Sequence, residues 1–297
     1  MPHVLTLIAP PGALTAAHLA AVRAALSALG ADCGSPDWLA PDEAADLPFQ
    51  ALAAEQAVAA ARGAVAKAPL DLLAQPVAGR RKRLLLADMD STIITSETLD
   101  EIAAHAGLKE RIAAITARSM NGELDFRQAL IERVGLLAGL DAAALDATWA
   151  ATELMPGAMT LVATMRAHGA HTALVSGGFT FFTSRVAELV GFHEHHSNTL
   201  LVEGGKLTGR VGEPILDRNS KLAALKHLAA AKGLSLAESC SVGDGANDLP
   251  MLQAAGLGVA FRAKPSVAAA SRHRVEHGDL TALLFAQGYR KAEFARP

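Results

Sequence analysis

The chain has 297 residues, 51% of them hydrophobic, and its 27 Lys and Arg residues nearly balance 30 Asp and Glu residues. This balance excludes a strongly basic surface, so we expect no nucleic-acid partner and no attraction to an anionic membrane. No uninterrupted apolar stretch is long enough to span a bilayer. With two cysteines and no basic N-terminal region before an apolar core, we expect no disulfide framework, no signal peptide and a cytoplasmic location.

Residues 1–78 have the pattern of a small α+β domain. Apolar runs and helical spacing predict a strand, a helix, two short strands, a helix and a last strand, located at His3–Ala9, Leu14–Leu29, within 31–52, Glu55–Lys67 and Leu70–Ala74. This β-α-β-β-α-β order is typical of a ferredoxin-like sandwich. The polar segment Gln75–Arg83 contains Pro76 and Gly79 and predicts a connector, so we divide the chain into domains 1–78 and 79–297.

From residue 84 onward the pattern changes to that of an α/β domain. Leu84–Ala87 predicts a buried strand, residues 97–150 are helical in character, and helices alternate with strands after Pro156. The alternation predicts a Rossmann-like parallel sheet with helices on both faces. The helical segment interrupts it directly after the first strand, which predicts an inserted cap at about 97–155.

Two further details concern the segment after the cap. His171–Val175 predicts a strand that ends at Ser176. The histidines His193, His195 and His196 lie in a polar stretch between a predicted helix and a predicted hairpin. Their spacing matches no known zinc site, so a solvated loop is the favoured interpretation.

Four groups of polar residues lie at or near predicted strand ends, where ligands bind in a doubly wound sheet. In chain order they are Asp88, Asp90 and Thr92; Ser176, Gly177 and Gly178; Lys221; and Asp244, Asn247 and Asp248. Each alone is common in a plainer role: acidic residues cap helices, Ser-Gly-Gly and Gly-Asp-Gly form turns, and a single lysine is usually a surface residue. Together, with three groups directly after strands, they predict a Mg²⁺ site for phosphate chemistry.

These residue types suit phosphoryl transfer through an enzyme carboxylate. Asp88 can attack as the nucleophile, and Asp90 can protonate the leaving oxygen and then activate water. The groups that can hold the phosphoryl oxygens are the Ser176 hydroxyl, the Gly177 and Gly178 amides and the Lys221 ammonium. Asp244 can ligate Mg²⁺ with Asp88, because that ion prefers hard oxygen ligands. Asn247 and Asp248 can complete the metal shell or its water network.

Taken together, these motifs resemble the haloacid dehalogenase superfamily of aspartate-nucleophile phosphatases, and residues 84–285 resemble the phosphoserine phosphatases within it. The matching segments are Asp88-Met-Asp-Ser-Thr with Glu97 and Asp100-Glu-Ile-Ala, Met120-Asn-Gly-Glu-Leu-Asp-Phe126, Arg133-Val, Val175-Ser-Gly-Gly-Phe and Gly243-Asp-Gly-Ala-Asn-Asp248. The resemblance implies a Rossmann-like core with a small helical cap and Mg²⁺ dependence. It also implies hydrolysis of O-phospho-L-serine to L-serine, the last step of serine biosynthesis.

The resemblance implies a role for each matching residue. In the core, Asp88 would be the nucleophile and Asp90 the acid and base. Phosphate would be bound by Ser176, Gly177 and Lys221. Mg²⁺ would be bound by Asp88, the Asp90 carbonyl and Asp244. Glu97 would pair with the substrate ammonium and Arg133, whose planar fork suits a carboxylate, with the substrate carboxylate. Met120 and Phe126 would line the cap side. Plainer roles stay open for these four: a helix N-terminal charge, a solvated helix face and ordinary cap core.

The N-terminal order of elements resembles the ACT-type regulatory modules that are often joined to such enzymes. Two functions stay open for it: pairing with a second copy of the chain, which we favour, and binding of serine. The segment Pro10-Pro11-Gly12-Ala13 is the nearest candidate for a ligand loop, although a plain β-to-α turn is the favoured interpretation.

Two rivals to phosphoserine hydrolysis also stay open. One is action on a different phosphomonoester, or transfer of the phosphoryl group to an alcohol such as homoserine. The other is a catalytically silent serine sensor on the same scaffold. The presence of both Asp88 and Asp90 argues against a silent protein, because two neighbouring carboxylates repel each other and have no use there without chemistry.

Overall fold

The computed structural model of the protein describes residues 1–120, 124–216 and 219–296. The side chains of Ala117, Ser119 and Met120 lie outside this description. Within the described ranges, no helix is long and apolar enough to cross a lipid bilayer.

The first 76 residues form an antiparallel sheet packed against two helices. In chain order the elements are β1 (His3–Ile8), α1 (Ala16–Ala28), β2 (Asp32–Cys33), β3 (Asp37–Ala40), β4 (Ala44–Gln50), α2 (Ala54–Ala64) and β5 (Asp71–Pro76). The sheet order is β2-β4-β1-β5, and β3 also pairs with β4. Segment 31–52 therefore holds three strands instead of the predicted two. Pro36, which has no N–H to donate, separates β2 from β3.

The elements that follow residue 84 alternate between strands and helices. They are β6 (Leu84–Ala87), α3 (Thr98–His105), α4 (Lys109–Met120), α5 (Phe126–Gly135), α6 (Ala143–Ala150), α7 (Ala158–Ala167), β7 (His171–Phe179), α8 (Thr180–Val190), β8 (Glu194–Asn198), β9 (Leu200–Glu203), β10 (Lys206–Val211), α9 (Ser220–Ala231), β11 (Ser239–Gly243), α10 (Leu249–Ala254), β12 (Leu257–Phe261), α11 (Pro265–Ala270), β13 (His273–Val275) and α12 (Ala282–Ala286).

Six of these strands form a parallel sheet in the order β13-β12-β11-β6-β7-β8. The four residues of β6 are fully buried, because β11 and β7 flank the strand and apolar clusters cover both faces of the sheet. This arrangement confirms the predicted Rossmann-like α/β fold class. The short elements α11, β13 and α12, each of six residues or fewer, were not predicted from the sequence.

The sequence prediction was wrong at β7 and β8. β7 continues past Val175 to Phe179, and its pairing with β8 shifts register over that stretch. β8 occupies the polar segment that was predicted to be a solvated loop. An edge strand tolerates such residues when their side chains find partners. Here Glu194 contacts the imidazoles of both His171 and His196.

The four helices α3 to α6 form the cap, and the later hairpin β9–β10 adds to it. The Leu207 N–H donates to Leu140 O and the Gly139 N–H to Leu207 O, both at 2.8 Å. The Ala142 N–H reaches the hairpin turn at Gly205 O, also at 2.8 Å. The hairpin therefore belongs with the cap in space, although about 50 residues separate the two in sequence. The cap limits of 97 and 155 stay a prediction.

The two sheets are joined by buried polar contacts. At the end of the N-terminal sheet, the Asp71 carboxylate accepts hydrogen bonds from the backbone N–H groups of Glu276 and Gly278, each at 2.7 Å. In the connector, Arg80 donates to Asp46 at 2.6 Å and to the carbonyl of Ala286 at 3.2 Å. The connector thus packs between the sheets, and the boundary at residue 78 stays a prediction.

Candidate active site at the carboxyl edge of the parallel sheet

A cluster of three carboxylates and one ammonium lies where β6 and β11 end. Asp88 follows β6, and Asp244 and Asp248 follow β11; their carboxylates offer oxygen atoms within 4.8 Å of one another. Lys221, at the start of α9, places its Nζ 2.6 Å from Asp88 Oδ1 and 2.5 Å from Asp248 Oδ1. The side chains of these three paired residues are at most 8% exposed.

Burial and mutual repulsion shape the charges of this cluster. Burial, followed by the Asp248 carboxylate, raises the pKa of Asp88 well above its ordinary value, against the opposing effect of Lys221. Burial and Asp248 likewise raise the pKa of Asp244 to about 6. Burial alone would lower the pKa of Lys221, but the carboxylates of Asp248 and Asp88 raise it. One lysine therefore does not neutralise the three carboxylates.

Asp90 is held separately, by the first turn of α3. The Thr98 N–H, one of the N–H groups that a helix start leaves without an intrahelical partner, donates to Asp90 Oδ1 at 2.9 Å. Ser176 Oγ donates to Asp90 Oδ2 at 3.4 Å and accepts the Gly178 N–H at 2.8 Å. Burial, followed by the Glu97 carboxylate, raises the pKa of Asp90 to about 7. The Asp90 carboxyl therefore has a fixed orientation beside the Ser-Gly-Gly segment.

A cavity of about 820 Å³ lies between this edge and the cap. Predicted site residues line it from both sides. They are Asp88, Asp90, Ser176, Gly177, Gly178, Asp244 and Asn247 at the core side and Glu97, Phe126 and Arg133 at the cap side. A second, small cavity adjoins Lys221 and shares Phe126, Ser176, Gly177 and Asn247 with the first. The structure therefore brings the four predicted polar groups and the cap residues Glu97, Phe126 and Arg133 to one place.

The cap side of the cavity carries opposite charges. Glu97 is exposed and accepts a hydrogen bond from Ser91 Oγ at 2.7 Å. Arg133 is half-buried and donates to Ala129 O at 3.1 Å and Thr116 Oγ1 at 3.4 Å. Burial lowers the pKa of Arg133, and the carboxylates of Asp100 and Glu97 oppose that effect.

The family is decided by a comparison with known sequences. The model of the haloacid dehalogenase-like hydrolase family matches residues 85–253, more than half of the chain. The chain belongs to this family. The acidic residues after the strands, the Ser-Gly-Gly segment and Lys221 all lie inside the region that matches this hydrolase family.

Individual relatives extend this result. The chain is 46% identical over 214 residues to a phosphoserine phosphatase of Streptomyces coelicolor, across 72% of this chain and 52% of that protein. It is 41% identical over 203 residues to a phosphoserine phosphatase of Lactococcus lactis, across 68% of this chain and 94% of that protein. The chain thus matches only about half the length of the Streptomyces relative. A solved haloacid dehalogenase family hydrolase from Salmonella enterica serovar Typhi superposes with a TM-score of 0.82 at 30% identity, over 96% of this chain and 98% of that one.

The donors at the sheet edge fit a hard divalent cation. Three carboxylates lie close together, two with pKa values raised by burial and by a neighbouring carboxylate, so a second cation beside Lys221 would relieve their repulsion. Both oxygens of Asp248 already have partners, since Oδ1 contacts Lys221 and Oδ2 accepts the Gly245 N–H at 2.9 Å. Asp88 and Asp244 are therefore the carboxylates best placed to bind a cation directly.

Sequence reasoning missed several groups at the site. It did not find the Thr98 N–H that holds Asp90, or Thr116, which contacts Arg133. It also missed Lys264, which lines the cavity. The Thr98 N–H could have been found from the sequence. It lies eight residues after Asp90 in the first turn of a predicted helix, where N–H groups have no intrahelical partner. The predicted Met120 belongs to α4, but its side chain lies outside the described residues, as do residues 121–123 of the same motif.

Proposed function

We propose that the protein hydrolyses O-phospho-L-serine to L-serine and phosphate, as the last step of serine biosynthesis. The observation that carries the proposal is one cavity with a carboxylate pair and a lysine near one end and a glutamate and an arginine at the other. Phosphoserine has the matching charges: a phosphate group, an ammonium and a carboxylate. The names of the relatives from Streptomyces and Lactococcus support the same substrate.

In this proposal Asp88 is the nucleophile. Its carboxylate attacks phosphorus in line, the P–O bond to serine breaks, and Asp90 donates its proton to the departing serine oxygen. Asp90 then takes a proton from the water that attacks phospho-Asp88, which releases phosphate and restores both residues. The Thr98 N–H supports these roles because it fixes the direction of the Asp90 carboxyl.

The phosphoryl oxygens would be held by the Ser-Gly-Gly segment and Lys221. Ser176 Oγ and the Gly178 N–H are already adjacent, at 2.8 Å, and both groups can turn to an anion. An alanine at 178 would place its Cβ only 2.9 Å from Asp90 Oδ2, so the segment approaches Asp90 too closely for a side chain. Gly177 and Asn247 complete the lining of this end.

We assign Mg²⁺ as the cofactor, held by Asp88, the Asp90 carbonyl and Asp244, with Asp248 behind them. Bound there, the ion supplies positive charge to the phosphoryl oxygens and neutralises the carboxylates. Asp248 orients Lys221 and the Gly245 N–H through its two oxygens. Its contribution is therefore to hold the neighbouring groups in place.

The cap would select the amino-acid part of the substrate. Glu97 would bind the ammonium, and the Arg133 guanidinium would bind the carboxylate through two parallel hydrogen bonds. Phe126 closes over Gly177, since a Cβ at that glycine would lie 2.9 Å from Phe126 Cζ. Met120 keeps its predicted place on the cap side.

The test is phosphate release in the presence of Mg²⁺ from O-phospho-L-serine, O-phospho-D-serine, 2-phosphoglycerate and p-nitrophenyl phosphate, each with and without homoserine. We expect kcat/KM to be highest for phosphoserine and homoserine to change nothing. EDTA should abolish turnover, and added Mg²⁺ should restore it. A higher kcat/KM for an ester without an amino group, or formation of phosphohomoserine, would reject the proposal.

The N-terminal sheet is proposed to pair with a second copy of the chain, with serine binding as the alternative. Light scattering of the full chain with and without L-serine distinguishes the two. A mass equal to one chain in both conditions would reject pairing, and serine inhibition that is purely competitive would reject a separate sensing site. Both cysteines are free thiols, which supports the proposed cytoplasmic location.

A further inference from the structure

Asn198, the last residue of β8, lies beneath the site and lines neither cavity. It is 1% exposed, and both polar atoms of its side chain are paired. Nδ2 donates to the carbonyl of Gly177 at 2.9 Å, and Oδ1 accepts the N–H of Leu216 at 2.7 Å. One side-chain amide therefore joins the Ser-Gly-Gly segment to the segment that precedes α9.

The contact with Gly177 determines where the next N–H points. In a trans peptide the C=O of one residue and the N–H of the next point in opposite directions. Asn198 holds the Gly177 carbonyl on the inner side, so the Gly178 N–H of the same peptide points outward to Ser176 Oγ, at 2.8 Å. The direction of a phosphate-binding N–H is thus set by a residue that does not itself reach the phosphate.

This segment needs an external support. Two successive glycines have the widest backbone freedom of any residue pair and no side chains to restrict it. The adjacent strand supplies that restraint, because the pairing between β7 and β8 resumes at Phe179 and Asn198 after the register shift. Thr180 Oγ1 also donates to the Asn198 carbonyl, at 2.9 Å, and so fixes the backbone from which the amide extends.

The second contact of Asn198, with the Leu216 N–H, involves a residue close to Lys221. Leu216 lines the small cavity together with Lys221, Ser176 and Gly177. The Asn198 amide therefore bonds to two residues, Gly177 and Leu216, that line the cavity beside Lys221. A terminal amide suits this place, because it offers a donor and an acceptor on one rigid plane.

We propose that Asn198 is a positioning residue for the phosphate end of the site, which rests on the function proposed above. Loss of its amide leaves the Gly177 carbonyl and the Leu216 N–H without this partner and releases the Gly177–Gly178 peptide. Misplacement of catalytic groups by about 1 Å can cost on the order of 100-fold in rate.

The test uses Asn198→Asp, Asn198→Ala and the control Ser197→Ala. The aspartate keeps an acceptor for the Leu216 N–H but sets a carboxylate oxygen against the Gly177 carbonyl. Ser197 is the neighbour in β8, and its hydroxyl contacts Thr180 and Thr183 rather than either segment. The measured quantities are kcat for phosphoserine and the inhibition constant of orthovanadate, which occupies the phosphoryl site.

We expect both Asn198 variants to lower kcat by about 10- to 100-fold and to weaken orthovanadate inhibition by a similar factor. Ser197→Ala should leave both within twofold of the unsubstituted protein. A purely structural role would reduce the amount of active enzyme but leave the orthovanadate constant of the remainder unchanged. That result, or failure of both variants to fold, would overturn the proposal.

If the unsubstituted protein hydrolyses only another ester, the proposed substrate is wrong, but the same comparison on that ester still tests Asn198.

Discussion

The two ends of the cavity are built differently. At the proposed phosphate end, Asp88 and Asp248 come from loops after parallel strands and Lys221 from a helix start. All three are buried, and Lys221 contacts both carboxylates. At the cap end, Glu97 is exposed, and Arg133 is half-buried and donates to Ala129 in its own helix and to Thr116 in the neighbouring helix. One end is a dense ionic cluster, and the other is a pair of opposite charges with room between them.

Under the proposed function, this difference separates the chemistry from the choice of substrate. The strands β6 and β11 hold the residues that follow them rigidly, because each is bonded to a neighbouring strand on both sides. In the proposal, the cap helices bind the amino-acid part of the substrate and take no part in bond breaking. Substitutions at the two ends should therefore affect different kinetic constants.

The largest effect is expected from Asp88→Asn. An amide cannot attack phosphorus as a carboxylate does, so kcat should fall roughly a thousandfold or more. The measurement is phosphate release, on protein verified by mass spectrometry to be free of deamidation. Asp42→Asn, at an exposed turn with a positive φ that asparagine accepts, is the matched control and should retain full rate. A near-normal rate for Asp88→Asn would remove the nucleophile assignment.

A smaller effect is expected from Gly178→Ala. The added Cβ would meet Asp90 Oδ2 at 2.9 Å and Ser176 Oγ at 3.0 Å, so both must move. We expect kcat to fall by about 10- to 100-fold for phosphoserine and for p-nitrophenyl phosphate alike. Gly63→Ala in α2, where the added Cβ meets nothing within 4 Å, serves as control and should keep the rate. An effect confined to phosphoserine would contradict the separation of the two ends.

At the cap end, Arg133→Lys should act on KM. The lysine keeps the charge but loses the planar fork, so we expect KM for phosphoserine to rise about tenfold, or about 1.4 kcal/mol. The rate with p-nitrophenyl phosphate, which has no amino-acid part, should stay within twofold. The control is Arg111→Lys, at an exposed position of α4. Equal losses with both substrates would show that Arg133 supports the core rather than the substrate.

The smallest effect on activity is expected far from the cavity, at His273. Burial, with Arg272 nearby, lowers the pKa of His273 to about 4, whereas an unfolded histidine has a pKa near 6.5. The unfolded chain therefore takes up a proton first as the pH falls, and the stability due to neutral His273 is complete above about 6.5 and is lost toward pH 4. Activity at pH 7.5 should not change in His273→Gln.

Urea unfolding measures this effect. The difference in unfolding free energy between the unsubstituted protein and His273→Gln should shrink by up to about 1.4 kcal/mol per pH unit between pH 6.5 and 4.5. A difference that stays constant over that range would mean that His273 does not resist protonation in the folded state.

Much of the phosphate end was accessible from the sequence. Asp88 follows β6, Ser176 lies on β7 and Asp244 follows β11, and neighbouring parallel strands bring such positions to one edge. The cap helices could also be predicted, because the 3.6-residue period of their apolar residues is a local property of the sequence. Errors occurred where polar residues or an irregular register hid a strand, as in β8 and the end of β7.

Most of the order of strands and helices, and the residue types at the strand ends, could be read from the sequence alone, because they depend on neighbours a few positions apart. The tertiary structure decided which of those residues touch. It paired Lys221 with Asp248, brought the hairpin onto the cap and set Asn198 under Gly177. These contacts join residues at least 20 positions apart. Such contacts form only when the strands have assembled, and no local pattern of hydrophobicity or turn residues encodes them.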